Sequence, residues 1–120
     1  MLKPDATAPD GSQVRRLVSD ASRASLVEIR LPAGGVSRPV RHRTVEEIWF
    51  VLEGKGEVWQ GGRTDALKPG SRLVIRTGIP FQFRASQGQD LRFLCYTSPP
   101  WPGPDEAEPV AEGGLGRPTV

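Results

Sequence analysis

The chain holds one cysteine (Cys95), one histidine (His42), one tyrosine (Tyr96) and one methionine in 120 residues. A lone cysteine excludes an internal disulfide and any CxxC or Cys/His zinc pattern, and it suits a reducing cytoplasm. Cys95 lies in L-R-F-L-C-Y, an apolar context that reads as a buried, inert thiol rather than a nucleophile. No stretch approaches the roughly 20 apolar residues that cross a bilayer, so no membrane association is expected. Met1 to Asp10 contains Pro4, Asp5 and Pro9 and no apolar run, so it does not read as a secretory signal. An excess of one charge is also lacking. Sixteen basic and fourteen acidic residues are interspersed, for a net charge of +2, which leaves no electrostatic footprint for nucleic acid. Finally, no segment sustains a 3.6-residue apolar period over three turns, which excludes a large helix.

What the chain has in quantity is punctuation. Fourteen glycines and twelve prolines separate short apolar runs, the arrangement of many short strands joined by turns. The strands expected are 13–18, 25–31, 37–42, 46–52, 56–60, 72–76, 81–85 and 91–97. Eight strands at this spacing predict an all-β jelly roll or small barrel, in one domain with one modest core. The expected division is an N-terminal extension with an edge strand (1–24), a barrel core (25–97) and a Pro-rich C-terminal arm and tail (98–120). The arm reads S-P-P-W-P-G-P-D-E-A-E-P. Its prolines cannot continue a central strand, so Trp101 is expected to anchor it on the barrel and the chain beyond about Glu108 to hang as a mobile tail. Gly54-x-Gly56 and Gly61-Gly62 fit tight turns. Neither precedes a helix, so neither is read as a phosphate-cradling loop.

Residues 34–54, G-G-V-S-R-P-V-R-H-R-T-V-E-E-I-W-F-V-L-E-G, and the later K-P-G-S-R-L-V-I-R-T-G-I-P-F-Q-F-R resemble the two signature motifs of the cupin superfamily, with degenerate metal-binding positions. The first motif has the form G-x5-H-x-H-x(3,4)-E-x6-G, and Gly34, His42, Glu47 and Gly54 fit it. Val40 stands at the first histidine position. In the second motif Pro69, Gly70 and Gly78 are kept, while Phe81 takes the usual histidine position. The resemblance implies the double-stranded β-helix, or jelly-roll barrel. A similar P-P-W-P-G-P-D-E-A segment marks one bacterial subgroup, which points to bacterial metabolism.

Alternation decides the register of the first motif. A spacing of three would bring Arg41 and Arg43 to the histidine positions, whereas a spacing of four brings Val40 and His42 there. Alternate strand residues face opposite sides, and two buried guanidiniums would each cost several kcal/mol, so Val40 and His42 face inward. By the same parity Arg38 falls on the inward face and needs an exit to the barrel mouth or a ligand. Glu47, Trp49 and Val51 share the inward face of the next strand. Ile48, Phe50 and Leu52 share its outer face, which needs a cover: the N-terminal strands or a second subunit. Phe81 and Phe83 alternate inward against Gln82 and Arg84.

The cavity expected from this register holds His42 and Glu47 as acid/base residues among Val40, Trp49, Val51, Phe81 and Phe83, with Gln60 and Tyr96 at its edge as further ligand-binding residues. A carboxylate beside a desolvated imidazole can poise it near neutral pH for proton transfer. The reading is a small-molecule enzyme isomerising, cyclising or dehydrating an apolar or aromatic substrate. Sugar epimerases of rhamnose biosynthesis, metal-free cupins, are similar in pairing a histidine with a carboxylate. Two other readings stand beside it: a non-catalytic small-molecule-binding cupin, and a metal-dependent enzyme in which His42 and Glu47 are an incomplete ligand set. No cofactor is expected on the first reading; a divalent metal is the alternative. The expected assembly is a homodimer.

Overall fold

The computed structural model describes residues 3–120, so the first two residues of the N-terminal extension lie outside it. The described residues form eleven strands and no helix: β1 (Ala6–Thr7), β2 (Gln13–Val18), β3 (Ser25–Leu31), β4 (Val40–His42), β5 (Glu46–Glu53), β6 (Gly56–Gln60), β7 (Arg63–Leu67), β8 (Arg72–Ile75), β9 (Phe81–Ala85), β10 (Leu91–Ser98) and β11 (Ala107–Pro109). They build two antiparallel sheets, β1-β2-β3-β10-β5-β8 and β11-β4-β9-β6-β7. The fold is the double-stranded β-helix, or jelly roll.

Alternation sets the core. Val27, Ile29 and Leu31 of β3, Trp49 and Val51 of β5, Phe83 of β9, and Phe93 and Cys95 of β10 are buried between the sheets. Trp49 stacks on Phe93 with centroids 4.1 Å apart, and Phe83 meets both edge-on at 5.1 and 5.5 Å. Full burial of such side chains is worth about 1.5–3 kcal/mol each. Gly54 has φ +83° and lies against the Asp90 carbonyl, where a Cβ has no room. The first motif therefore ends on glycine for both reasons.

Three strands were not expected: β1, β7 and β11. β7 is the return arm of a hairpin through Gly61 and Gly62, both at positive φ. The expected strand 37–42 is shorter, beginning only at Val40, with Val36 making an isolated bridge to Arg84. Pro39 explains this, because it lacks a donor and restricts the residue before it. The break also resolves Arg38. It turns out to solvent, where Nε donates to the Val120 carbonyl at 2.8 Å.

The C-terminal segment departs most from expectation. Residues expected to form a mobile tail run back over β9. The Gln82 amide donates to the carbonyls of Ser37 (3.0 Å) and Gly116 (2.9 Å), and its oxygen accepts from Leu115 N–H at 2.8 Å. Gln82, assigned to the outer face by alternation, is thus fully buried beneath the tail. Gly113 and Gly114 allow the approach, because a Cβ on either would collide with Gln82 or Trp59. The Cα radius of gyration, 12.8 Å, lies below the roughly 13.6 Å of an average compact chain of this length, which leaves no room for an extended tail.

Candidate active site

β4 brings His42 to the interior exactly one residue in from Arg41, which is exposed, and β5 brings Glu47 and Trp49 to the same side. His42 Nε2 lies 3.1 Å from Glu47 Oε2, and Nδ1 lies 3.6 Å from Glu106 Oε1. Neither contact is aligned as a hydrogen bond. Both ring nitrogens are buried without a directional partner, although carboxylates flank them. Phe81 stacks beneath the ring at 5.4 Å.

Each carboxylate is held from a different element. Glu47 Oε1 accepts from the Trp49 indole N–H at 2.9 Å, which leaves Oε2 to face the imidazole. Glu106, on the turn before β11, accepts from the Thr44 N–H and hydroxyl, both at 2.8 Å, and from the Val45 N–H at 2.6 Å. Burial alone would raise the Glu106 pKa, but those donors and His42 hold it below its ordinary value. Desolvation alone would lower the His42 pKa. Glu47 first, then Glu106, outweigh it and keep the imidazole above its ordinary 6.5. Cys95, paired with Trp49 across the sheet, is buried, and burial with the nearby Glu47 pushes its thiol well up. It is chemically inert at neutral pH.

A pocket opens onto this pair. It is lined by the buried Val27, Ile29, Trp49, Phe83 and Phe93, by the polar His42, Glu47 and Asp10, and by the less buried Ala8, Pro9 and Trp101. The cavity is about 30 Å³, enough for about two waters. The pocket therefore admits the reacting end of a ligand rather than a whole aromatic molecule.

The pattern of the cupin domain family matches residues 27–97. The chain belongs to the cupin family. This cupin is 30% identical over 104 residues to the uncharacterized protein MJ1618 of Methanocaldococcus jannaschii, covering 83% of this chain and 82% of that one. Among solved structures it resembles the polyketide cyclase RemF from Streptomyces resistomycificus (TM-score 0.71, 27% identity, 93% of this chain and 78% of that one). It also resembles a double-stranded β-helix protein from Klebsiella pneumoniae (TM-score 0.71, 16% identity, 92% and 90%) and KdgF from Halomonas sp. (TM-score 0.67, 24% identity, 74% and 79%). The last two show the fold alone.

Of the residues named from sequence, His42, Glu47, Trp49 and Phe83 meet at the pocket of this cupin. Val40, Val51 and Phe81 are buried in the core without lining it, because their side chains pack into neighbouring strands. Gln60 lies half-buried at the end of β6, outside the pocket lining. Tyr96 is on the opposite face of β10, 43% exposed, since it alternates with the buried Cys95 and Thr97. The positions missed include Asp10, Trp101 as a pocket wall, the second carboxylate Glu106, and the apolar lining residues Val27, Ile29 and Phe93. Asp10 belongs to P-D-G-S, which reads as a turn, and Glu106 sits in a proline-rich arm with nothing to mark it from Glu108.

The cupin family often carries a divalent metal. The donors here do not fit one. Val40 and Phe81, 1% exposed each, put hydrocarbon where imidazoles would ligate, and no group of three or more His, Cys, Asp or Glu among the described residues is arranged to hold an ion. Metal sites of this type use three or four protein ligands.

Proposed function

We propose that this cupin is a small-molecule enzyme working by acid/base chemistry, with His42 as the proton-transferring group and Glu47 as the carboxylate that orients and charges it. The observation that carries the reading is a buried imidazole set between two carboxylates, Nε2 3.1 Å from Glu47 and Nδ1 3.6 Å from Glu106, at a pocket whose remaining lining is apolar apart from Asp10. In its neutral form His42 takes a proton from a carbon next to a carbonyl; the C–H electrons move toward the oxygen, and the imidazolium returns the proton elsewhere on the same molecule. That sequence covers isomerisation, and with loss of water dehydration. The likeness to a polyketide cyclase at 27% identity supports a substrate with an apolar or aromatic body, held outside the small pocket while its reacting end enters beneath Trp101.

The proposed setting is the cytoplasm, on the single unpaired cysteine, and the proposed assembly is a homodimer. β1 and β2 extend the sheet beside β3 instead of covering it. The outer face of β5, β8 and β10 is therefore open within the chain, with Ile48, Phe50, Val74 and Tyr96 between 37% and 47% exposed.

A melting-shift screen of aromatic and carbonyl compounds at pH 6 and pH 8 finds the ligand, and turnover of that ligand tests the mechanism. His42→Gln is expected to keep the fold and lose about two to four orders of magnitude in turnover, with Glu47→Gln moving the same way. Both variants turning over as fast as the parent would make the pair a relic.

A further inference from the structure

The N-terminal segment places a second buried acid in the pocket. Asp10 sits in the tight loop between β1 and β2, where Ala8 N–H bonds the Ser12 carbonyl and Gly11 N–H bonds the Ala8 carbonyl, both at 2.9 Å. The Asp10 carbonyl accepts from Arg38 N–H at 2.8 Å, so the loop is tied to the barrel. Asp10 is 8% exposed and lines the same pocket as His42 and Glu47. Both Ser12 donors, N–H at 2.8 Å and hydroxyl at 2.5 Å, converge on Oδ1. That leaves Oδ2 as the oxygen to carry a proton.

We propose that Asp10 is the third polar member of the site, a hydrogen-bond donor that holds the oxygen of a small uncharged carbonyl group whose neighbouring atom faces His42. The inference rests on the acid/base reading of the pocket and names the chemical class of its substrate. The acid alone would not make a site; the independent observation is His42, 6% exposed, lining the same pocket with neither ring nitrogen in a directional hydrogen bond. Burial raises the Asp10 pKa, and Glu47 adds to it against the pull of Ser12 and His42, so the group is disposed to be a donor. The oxygen it holds is the one that gains negative charge when the adjacent C–H proton passes to His42, which is where a fixed donor is most effective.

The surroundings argue against charged ligands. An anion would face Glu47 and, behind His42, Glu106, with one imidazolium to balance them. A cation would be drawn by Glu47 but would meet the His42 imidazolium and the donor proton of Asp10, and the Trp101 ring already carries Arg16 at 5.2 Å.

Three isosteric probes of different charge test this: acetamide, acetate and acetamidinium, added to the full chain with ¹⁵N-labelled tryptophan. The indole N–H signals of Trp49 and Trp101 report the pocket, and Trp59, which does not line it, is the internal control. Acetamide is expected to move the first two signals and not the third, with acetate and acetamidinium far weaker. Asp10→Asn keeps an acceptor for Ser12 and a donor for the ligand, so it should bind acetamide as the parent does, while Asp10→Ala should bind it about tenfold more weakly. Acetate or the cation binding as well as acetamide, no response to acetamide, or equal binding by Asp10→Ala would each overturn the proposal. The parent's preference among probes decides the matter even if Asp10→Ala fails to fold. Because the readout is binding, its failure leaves the His42 proton-transfer role standing, and failure of that role leaves the Asp10 result intact.

Discussion

At the scale of single residues, inward and outward positions were legible wherever a strand ran unbroken. Val40, His42, Glu47, Trp49 and Phe83 face in and Arg41 faces out, as alternation requires. The reading failed at Arg38 because Pro39 interrupts the strand, and at Gln82 because parity does not report what a distant segment lays over a face. It also could not choose among inward residues. Val51 and Phe81 are as deeply buried as Trp49, and only the packing decides which of them touches the pocket. The same residues predict metal independence. Val40 and Phe81 stabilise the barrel by apolar burial worth about 1.5–3 kcal/mol each, without coordination. Thermal melts before and after exhaustive chelation should coincide. A drop of many degrees on adding chelator would show that an ion is part of the fold.

At the scale of elements, strands with alternating or continuous apolar residues were found in the sequence and the short, polar ones were not. Arg63–Leu67 carries Arg, Thr and Asp, and its pairing with β6 is set by the glycine turn rather than by its own burial. Glu106 and the tail escaped for a related reason. Proline and glycine excess reads as disorder unless the partner surface is known, and here that surface is the buried Gln82 amide together with Val36, Arg38 and Pro39, each hydrogen-bonded to the tail. Gln82 makes three hydrogen bonds, two of them to the tail. Gln82→Ala should therefore cost about 2–3 kcal/mol and loosen the tail around Leu115, measured as accelerated amide exchange there and early proteolytic clipping, while Thr119 keeps its bond to the Val36 carbonyl. Gly113→Ala should act in the same direction, since its Cβ has no room beside Gln82. Unchanged exchange in both would mean the tail is held elsewhere.

At the scale of the whole molecule, the jelly roll followed from the count and spacing of strands, while the cover of its outer face did not. Val18, Leu26, Tyr96, Ile48 and Val74 are consecutive cross-strand neighbours on β2, β3, β10, β5 and β8, an apolar row across the sheet. Ion pairs border it, Arg76 with Glu46 at 3.5 Å and Arg92 with Glu28 at 2.7 Å. An apolar centre with a charged rim of both signs suits a two-fold contact between identical faces. Light scattering at micromolar concentration should return twice the 13.1 kDa chain mass, and Ile48→Glu should return the monomer with its fold intact. A parent mass of one chain would remove the dimer.

The functional account stands on His42 as a titrating group held by Glu47 and Glu106 inside the pocket. The chain has no other histidine, so one imidazole signal can be followed by NMR across pH without assignment. Burial lowers the pKa of a histidine, and the two carboxylates raise it. The net prediction is a midpoint above 6.5 that falls when Glu47 is replaced by Gln. A midpoint at or below 6.5, unmoved by Glu47→Gln, would contradict the account.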